Sequence, residues 1–326
     1  MALFILILDR ESECYMNTTY NFKKTISSHE RFAPGHRLCA GCGAGIAVCG
    51  VLRALNEEDR AVIGNATGCL EVSSFLYPYT AYEDSYIHTA FENAASTCSG
   101  VEAAYNALRR KGKVDGTVKF ITFGGDGGTY DIGFQSLSGA MERGHDITYV
   151  CYDNEAYMNT GIQRSSATPQ FSTATTSPVG KISSGKVQSK KNLTEIIAAH
   201  HVPYVAQTTF LGNFRDLHVK SRKAIYTKGP CFLNIMAPCP RGWEYPPELL
   251  PEICRLAVET CVWPLFEVEN GVWRLTYMPK KKLPVTEYLK LQGRFRHMFR
   301  PGNEWMLETV QQNVDDSWDK LLARCE

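Results

Sequence analysis

The sequence predicts an α/β fold: a doubly wound, mostly parallel sheet with helices on both faces and a C-terminal extension arm. Three observations carry that prediction. Short apolar runs alternate with longer helix-like segments between residues 61 and 236, which is the signature of a parallel sheet covered on both sides. Gly124-Gly125-Asp126-Gly127-Gly128 stands at the exit of one apolar run and Asp153-Asn154 at the exit of the next. Such strand ends are where an open parallel sheet holds its ligand. Finally, 44% apolar and 21% charged residues match an ordinary globular chain.

The elements follow in order. Residues 1–30 form an irregular N-terminal segment, 31–240 the α/β domain and 241–326 the C-terminal arm. A helix is expected from about Gly43 to Asn56, carrying Ile46, Val48, Val51, Leu52 and Leu55, then a buried strand over Ala61–Asn65. Phe91–Arg110 is an Ala-rich helix, Val118–Phe123 a strand, Asp131–Arg143 a helix and Ile147–Tyr152 a strand. Thr160–Lys191 is rich in Ser, Thr, Gly and Lys with few large apolar residues, so it is either disordered or a functional cover. Asn192 caps a helix to His201, and Tyr204–Thr208, Phe214–Thr227 and Phe232–Met236 continue the alternation as strand, helix and strand. Past Pro240 come Pro-rich turns, Trp243, Trp263 and Trp273, and a hairpin about Glu269-Asn270-Gly271.

Composition excludes several function classes. The 35 Lys and Arg balance 34 Asp and Glu for a formal charge of +1, so no electrostatic footprint for nucleic acid exists. No apolar run approaches the roughly 20 residues that span a bilayer. Ala2–Leu8 is short, lacks a basic flank and is followed by Asp9, Arg10 and Glu11, unlike a signal peptide. Met16 is an alternative start, with residues 1–15 an upstream extension. A cytoplasmic, reducing compartment follows, where cysteines favour metal sites over disulfides. The 12 cysteines demand an explanation on those terms.

Asp126 and Asn154 lie 28 residues apart at two strand exits. A carboxylate, an amide oxygen and nearby carbonyls are the hard ligands Mg²⁺ takes when it also holds a diphosphate. The paired glycines 124–125 and 127–128 let backbone N–H groups approach phosphate oxygens at a helix start. Cys39-Ala40-Gly41-Cys42-Gly43 is a CxxC at the mouth of a helix, while Cys69 and Cys239 each follow a strand end. Soft thiolates select zinc or iron–sulfur, and composition does not separate the two. A redox pair is the other reading of CxxC. Cys231 rivals Cys239 as fourth ligand, although its place at the start of an apolar strand suits packing. Cys49, Cys98, Cys151, Cys254 and Cys261 fall on apolar faces and suit the core, while Cys14 and Cys325 carry no signal. His88 is either a hydrogen-bonded residue at a helix start or a cofactor contact.

The Gly-Asp-Gly with its downstream Asn resembles the metal motif of thiamine-diphosphate enzymes, which implies Asp126, Asn154 and the carbonyl of Ala156 as Mg²⁺ ligands. More widely, the chain resembles the β subunit of the 2-oxoacid:ferredoxin oxidoreductases, pyruvate synthase above all. The matching pieces are residues 39–43, Thr67-Gly68-Cys69, His88–Ala95, Gly125-Asp126-Gly127, Asp153–Gly161, Ala237-Pro238-Cys239-Pro240 and Leu289–Phe295. The resemblance implies the thiamine-diphosphate-binding fold, with Gly125, Asp126, Gly127, Gly128, Asn154, Ala156 and Asn159 around the cofactor and Asn159 near its thiazolium. It also implies a 4Fe-4S cluster on Cys39, Cys42, Cys69 and Cys239. The implied reaction converts pyruvate, coenzyme A and oxidised ferredoxin to acyl-CoA, CO₂ and reduced ferredoxin, reversibly. Branched-chain 2-oxoacids, aryl glyoxylates and oxalate are substrates of relatives.

The Glu that activates the aminopyrimidine in thiamine enzymes has no second sheet domain here to carry it. The resemblance places it on an α subunit, beside a ferredoxin-like subunit, so this chain is half of an active site. Glu92 and Glu155 are candidates for that acid by composition only, and solvated or partner-facing roles suit them better. A single-chain thiamine decarboxylase would be longer and need no cysteine quartet. A structural zinc module, the non-enzymatic alternative, leaves Gly-Asp-Gly and Asn154 unexplained.

Overall fold

The computed structural model describes residues 20–26, 28–212 and 214–325. Cys14, Met16 and the apolar run Ala2–Leu8 lie outside the described residues. Of the N-terminal segment expected to be irregular, Phe22–Ile26 is a short helix.

Ten strands are described: β1 Arg60–Ala66, β2 Phe75–Leu76, β3 Tyr79–Thr80, β4 Ser85–Thr89, β5 Val118–Gly125, β6 Thr148–Asp153, β7 Tyr204–Thr208, β8 Cys231–Met236, β9 Phe266–Glu269 and β10 Val272–Leu275. Eight form one sheet in the order β10-β9-β7-β8-β6-β5-β1-β4, and β2 with β3 is a separate small hairpin. The six strands from β7 to β4 are all parallel. From β1 the chain steps one way to β4 and then back across to β5, so the topology reverses between β1 and β5. At such a switch point the outgoing loops splay apart and leave a crevice beyond the carboxyl ends of the strands.

The central strands are buried on both faces, so their sequences are nearly continuous apolar runs. Alternate residues supply two cores. Ile121, Phe123, Val150, Tyr152, Leu233 and Ile235 join the helices Gly43–Leu52, Arg215–Tyr226 and Leu250–Glu259 on one face. Phe120, Tyr149, Cys151, Val205 and Phe232 join Ala94–Arg110, Phe134–Glu142, Leu193–Ala198 and Glu304–Cys325 on the other. The Asn192 side chain caps its helix as expected, accepting from the Glu195 N–H.

Several boundaries differ from expectation. β4 is an edge strand of mixed polarity, Ser-Tyr-Ile-His-Thr, with no apolar run to announce it. His88 therefore lies in a strand, and the following helix starts at Ala94, not Phe91. Gly127–Ile132 is a π-helical turn ahead of Phe134–Glu142, a distortion that frequents functional sites.

The C-terminal residues are less detached than an arm. The hairpin forms where expected, with Asn270 and Gly271 both at positive φ, but β9 pairs antiparallel with β7 and so extends the main sheet. The two-residue turn Asn270-Gly271 joins β10 antiparallel to β9, while β9 itself follows the long segment 237–265 after β8. The segment Thr160–Lys191 lacks regular secondary structure apart from isolated bridges, yet it is pinned: Lys186 is buried and donates to the carbonyls of Thr168 (2.5 Å) and Ser189 (3.1 Å). Of its two expected states, a cover fits. Among the described residues no helix is long and apolar enough to cross a membrane.

Candidate functional site

Thr67–Cys69 leaves β1, Gly125–Gly128 leaves β5, Asn154 leaves β6 and Cys239 follows β8, all at the carboxyl edge of the parallel sheet. A cleft at the switch point is lined by Thr67, Gly68, Cys69, Phe91, Gly125, Gly127, Gly128, Tyr152, Asn154, Ala156, Met158, Asn159 and their neighbours. Every residue expected around the cofactor lies there except Asp126, which is fully buried behind it. Two glycines keep the cleft open. A Cβ at Gly128 would stand 2.7 Å from the Phe91 carbonyl oxygen, and one at Gly127 would enter the Tyr157 ring. A larger cavity of about 400 Å³ beside Lys190, Trp263 and Trp318 shares no residue with this cleft.

Three oxygens meet behind the cleft. The Asn154 amide oxygen lies 2.9 Å from Asp126 Oδ1 and 2.9 Å from the Ala156 carbonyl oxygen. Acceptors do not face one another unless a proton or cation lies between them, and rotating the amide to donate is the protein-only remedy. Octahedral Mg²⁺ at its usual bond length separates adjacent oxygen ligands by about 2.9 Å, so this set fits the ion. The Asp126 carboxyl also accepts from the Asn154 N–H (3.2 Å) and the Ser165 hydroxyl (2.5 Å). Burial, followed by the neighbouring Asp153 carboxylate, pushes its pKa well up. A divalent cation opposes both effects.

The loop carrying these oxygens is locked from behind. Lys190 lies 2.7 Å from Asp153 Oδ2 and 2.9 Å from Glu155 Oε1, and Arg294 lies 2.5 Å from Glu155 Oε2. Tyr130 donates to Asp153 (2.7 Å), Thr168 to the Glu155 carbonyl (2.6 Å) and the Trp243 indole to the Asn154 carbonyl (2.8 Å). Arg294 stacks over Trp243, 3.9 Å from its ring centre. Glu155 holds a positive φ of 65° and is 2% exposed, which corrects its expected solvated or partner-facing role. Burial alone pushes its carboxyl up, but Lys190 and Arg294 hold it below the usual range.

The CxxC turn abuts the loop after β8: a Cβ at Gly43 would stand 2.6 Å from the Ala237 carbonyl carbon, and the Gly43 N–H donates to the Pro238 carbonyl (3.1 Å). Cys39, Cys42, Cys69 and Cys239 are thereby brought within electrostatic reach of one another. Cys39 is exposed and the other three half-buried. Burial, and then the other thiols, push Cys69 up to about 12; burial also pushes Cys42 up to about 11, against backbone N–H donors at Ala44 and Gly45. The Gly242 N–H donates to Cys239 Sγ (3.4 Å).

Among the described residues, no three or more His, Cys, Asp or Glu side chains are arranged to share one metal ion. A cubane offers one iron to each thiolate, so ligands too far apart for a single ion still suit it. The rival Cys231 begins β8 at the opposite edge of the sheet and is buried. Cys98, Cys151, Cys254 and Cys261 are buried as expected, and Cys49 is half-buried. His88 Nε2 lies 3.1 Å from the Thr67 hydroxyl and 3.5 Å from Glu71 Oε1, at the rim of the cleft.

Ser165, Lys190, Trp243 and Arg294 were not singled out as site residues by the sequence. Each comes from a segment far along the chain, and only Arg294 lay in a matching motif.

This architecture defines a thiamine enzyme: residues 63–235 match the family described as "Thiamine pyrophosphate enzyme, C-terminal TPP binding domain". The chain is 54% identical over 296 residues to "Pyruvate synthase subunit PorB" of Methanocaldococcus jannaschii, covering 90% of this chain and 97% of that one. It is 42% identical over 315 residues to "Ketoisovalerate oxidoreductase subunit VorB" of Pyrococcus furiosus, covering 95% and 99%. The solved "2-oxoglutarate:ferredoxin oxidoreductase from Magnetococcus marinus with 2-oxoglutarate, coenzyme A and succinyl-CoA bound" shares the fold, with a TM-score of 0.54 at 21% identity over 65% of this chain and 67% of that one. The chain belongs to the β-subunit family of the 2-oxoacid:ferredoxin oxidoreductases, of pyruvate synthase type, and is one subunit of an oxidoreductase complex.

Proposed function

We propose that this subunit binds Mg²⁺-thiamine diphosphate and a 4Fe-4S cluster and takes part in the reversible, coenzyme A-dependent oxidative decarboxylation of pyruvate. The observation that carries the cofactor reading is the Asn154 amide oxygen lying 2.9 Å from both Asp126 Oδ1 and the Ala156 carbonyl oxygen behind a glycine-walled cleft. Asp126, Asn154 and the Ala156 carbonyl hold the ion, and the N–H groups about Gly125–Gly128 receive phosphate oxygens. Thiamine diphosphate, when bound, supplies the electron sink for loss of CO₂.

The protein's own part is placement. Lys190, Arg294 and Trp243 fix the loop that carries Asn154 and Ala156, Asn159 stands at the cleft, and Cys39, Cys42, Cys69 and Cys239 hold the cluster beside it. Cys69 lines the cleft itself, which suits electron transfer from cofactor to cluster.

A zinc module does not account for the family membership. The complementary pyrimidine-side Glu is assigned to an α subunit, and a ferredoxin-like subunit and ferredoxin to electron exit. Pyruvate is favoured by the higher identity to the pyruvate synthase subunit, and 2-ketoisovalerate is the second reading because the ketoisovalerate oxidoreductase subunit covers 95% of the chain at 42%. Assay of the intact complex against a panel of 2-oxoacids with coenzyme A and a viologen dye tests this. Highest kcat/KM on pyruvate is expected; preference for a branched-chain acid reverses the assignment.

A further inference from the structure

Two buried phenols at the cysteine edge have no protein acceptor. Tyr152 in β6 is 1% exposed, Tyr245 beyond Cys239 is 4% exposed, and although the Leu70 N–H approaches the Tyr152 oxygen as a donor, neither hydroxyl has an acceptor for its own proton among the described residues. Both rings belong to the apolar core against which Cys42 and Cys239 pack. Tyr152 also lines the cleft with Cys69. Its hydroxyl fits only because two neighbours lack side chains: a Cβ would stand 2.6 Å from it at Gly68 and 3.2 Å at Gly125.

A buried hydroxyl left unpaired is costly and uncommon. Two of them beside one set of thiols point to an acceptor that the protein alone does not supply. Burial pushes both phenols up; Cys69 adds most for Tyr152 among charged neighbours, and Cys254, Cys239 and Cys42 add for Tyr245. Both therefore stay protonated and able to donate.

We propose that the Tyr152 and Tyr245 hydroxyls donate hydrogen bonds to sulfur atoms of the group held by Cys39, Cys42, Cys69 and Cys239, and so set its reduction potential. The inference rests on the iron–sulfur reading of those cysteines. Reduction adds negative charge to the cluster, and donors to its sulfurs stabilise that charge and raise the potential. Backbone N–H groups already serve Cys42 and Cys239, but only the phenols can be removed by substitution without disturbing the chain. They are positioning residues, touching the cluster and not the substrate.

The test is a redox titration of the intact complex, followed on the electron paramagnetic resonance signal that Cys69→Ser removes. Tyr152→Phe and Tyr245→Phe are each expected to shift that signal to more negative potential. A tenfold change in the one-electron equilibrium corresponds to about 59 mV. Unmoved potentials in both variants, with the cluster intact, overturn the proposal. If either variant fails to assemble a cluster, a ring-fluorinated tyrosine at the same position keeps the hydroxyl and donates more strongly. The expected shift is then to less negative potential, and no shift again overturns the proposal. A weakened thiamine diphosphate affinity in Tyr152→Phe with the potential unmoved assigns that hydroxyl to the diphosphate and also overturns it. Absence of iron and sulfide from the unmodified complex removes the iron–sulfur reading itself, which is distinct from an unmoved potential.

Discussion

The two halves of the switch-point edge are finished to different degrees. On the carboxylate side, Asp126, Asp153 and Glu155 are buried among Ser165, Tyr130, Lys190 and Arg294. On the cysteine side, four thiols lie within electrostatic reach of one another, one exposed and three half-buried, near two phenols without acceptors. The contrast follows from charge. Buried carboxylates cannot exist unpaired, so the protein must supply cations before any cofactor arrives. Thiols are neutral when their pKa is raised, so their site can be left incomplete at little cost until a cluster is inserted.

The largest effects separate the halves outright. Asp126→Ala is expected to abolish thiamine diphosphate binding, by calorimetry or intrinsic fluorescence, while iron and sulfide content stays unchanged. Cys69→Ser is expected to do the reverse: cofactor bound, ferredoxin reduction lost. Unchanged cofactor content in the first variant, or full electron transfer in the second, breaks the division. Next comes Arg294→Met, which leaves Glu155 one cation short in a site where both side chains are 2% exposed. Breaking a buried pair costs ~3–5 kcal/mol, so a matching loss in denaturant unfolding is expected; a change within ~0.5 kcal/mol shows that Lys190 alone suffices.

The smallest effect is kinetic. In cluster-free protein at pH 8, thiols pushed up to about 11 and about 12, Cys42 and Cys69, are thiolates at only about one part in a thousand and one in ten thousand. Exposed Cys39 is expected to be alkylated first. A raised pKa depletes the thiolate below it, so the lag of Cys42 and Cys69 narrows as pH rises. Equal rates at pH 8, read by mass spectrometry, deny the neutral-thiol account.

Much of the candidate site was legible because its residues sit at strand exits, and strand exits are marked by apolar runs that end. Asp126, Asn154 and the two cysteines Cys69 and Cys239 each follow such a run. Glu155 was misread because its neighbours in sequence are unlike its neighbours in space: Lys190 and Arg294 lie 35 and 139 residues away. β4 escaped because an edge strand need bury little, and His88 was placed at a helix start in consequence.

By itself the sequence determined the alternation of strands and helices, the glycine-flanked Asp126 and the cysteine spacing, since each depends on local sterics or a short period. Tertiary structure alone decided that the loop after β6 is clamped by a buried ion-pair network and that β9 and β10 extend the main sheet. These depend on which distant surfaces meet when the two cores form, and no local pattern records that meeting.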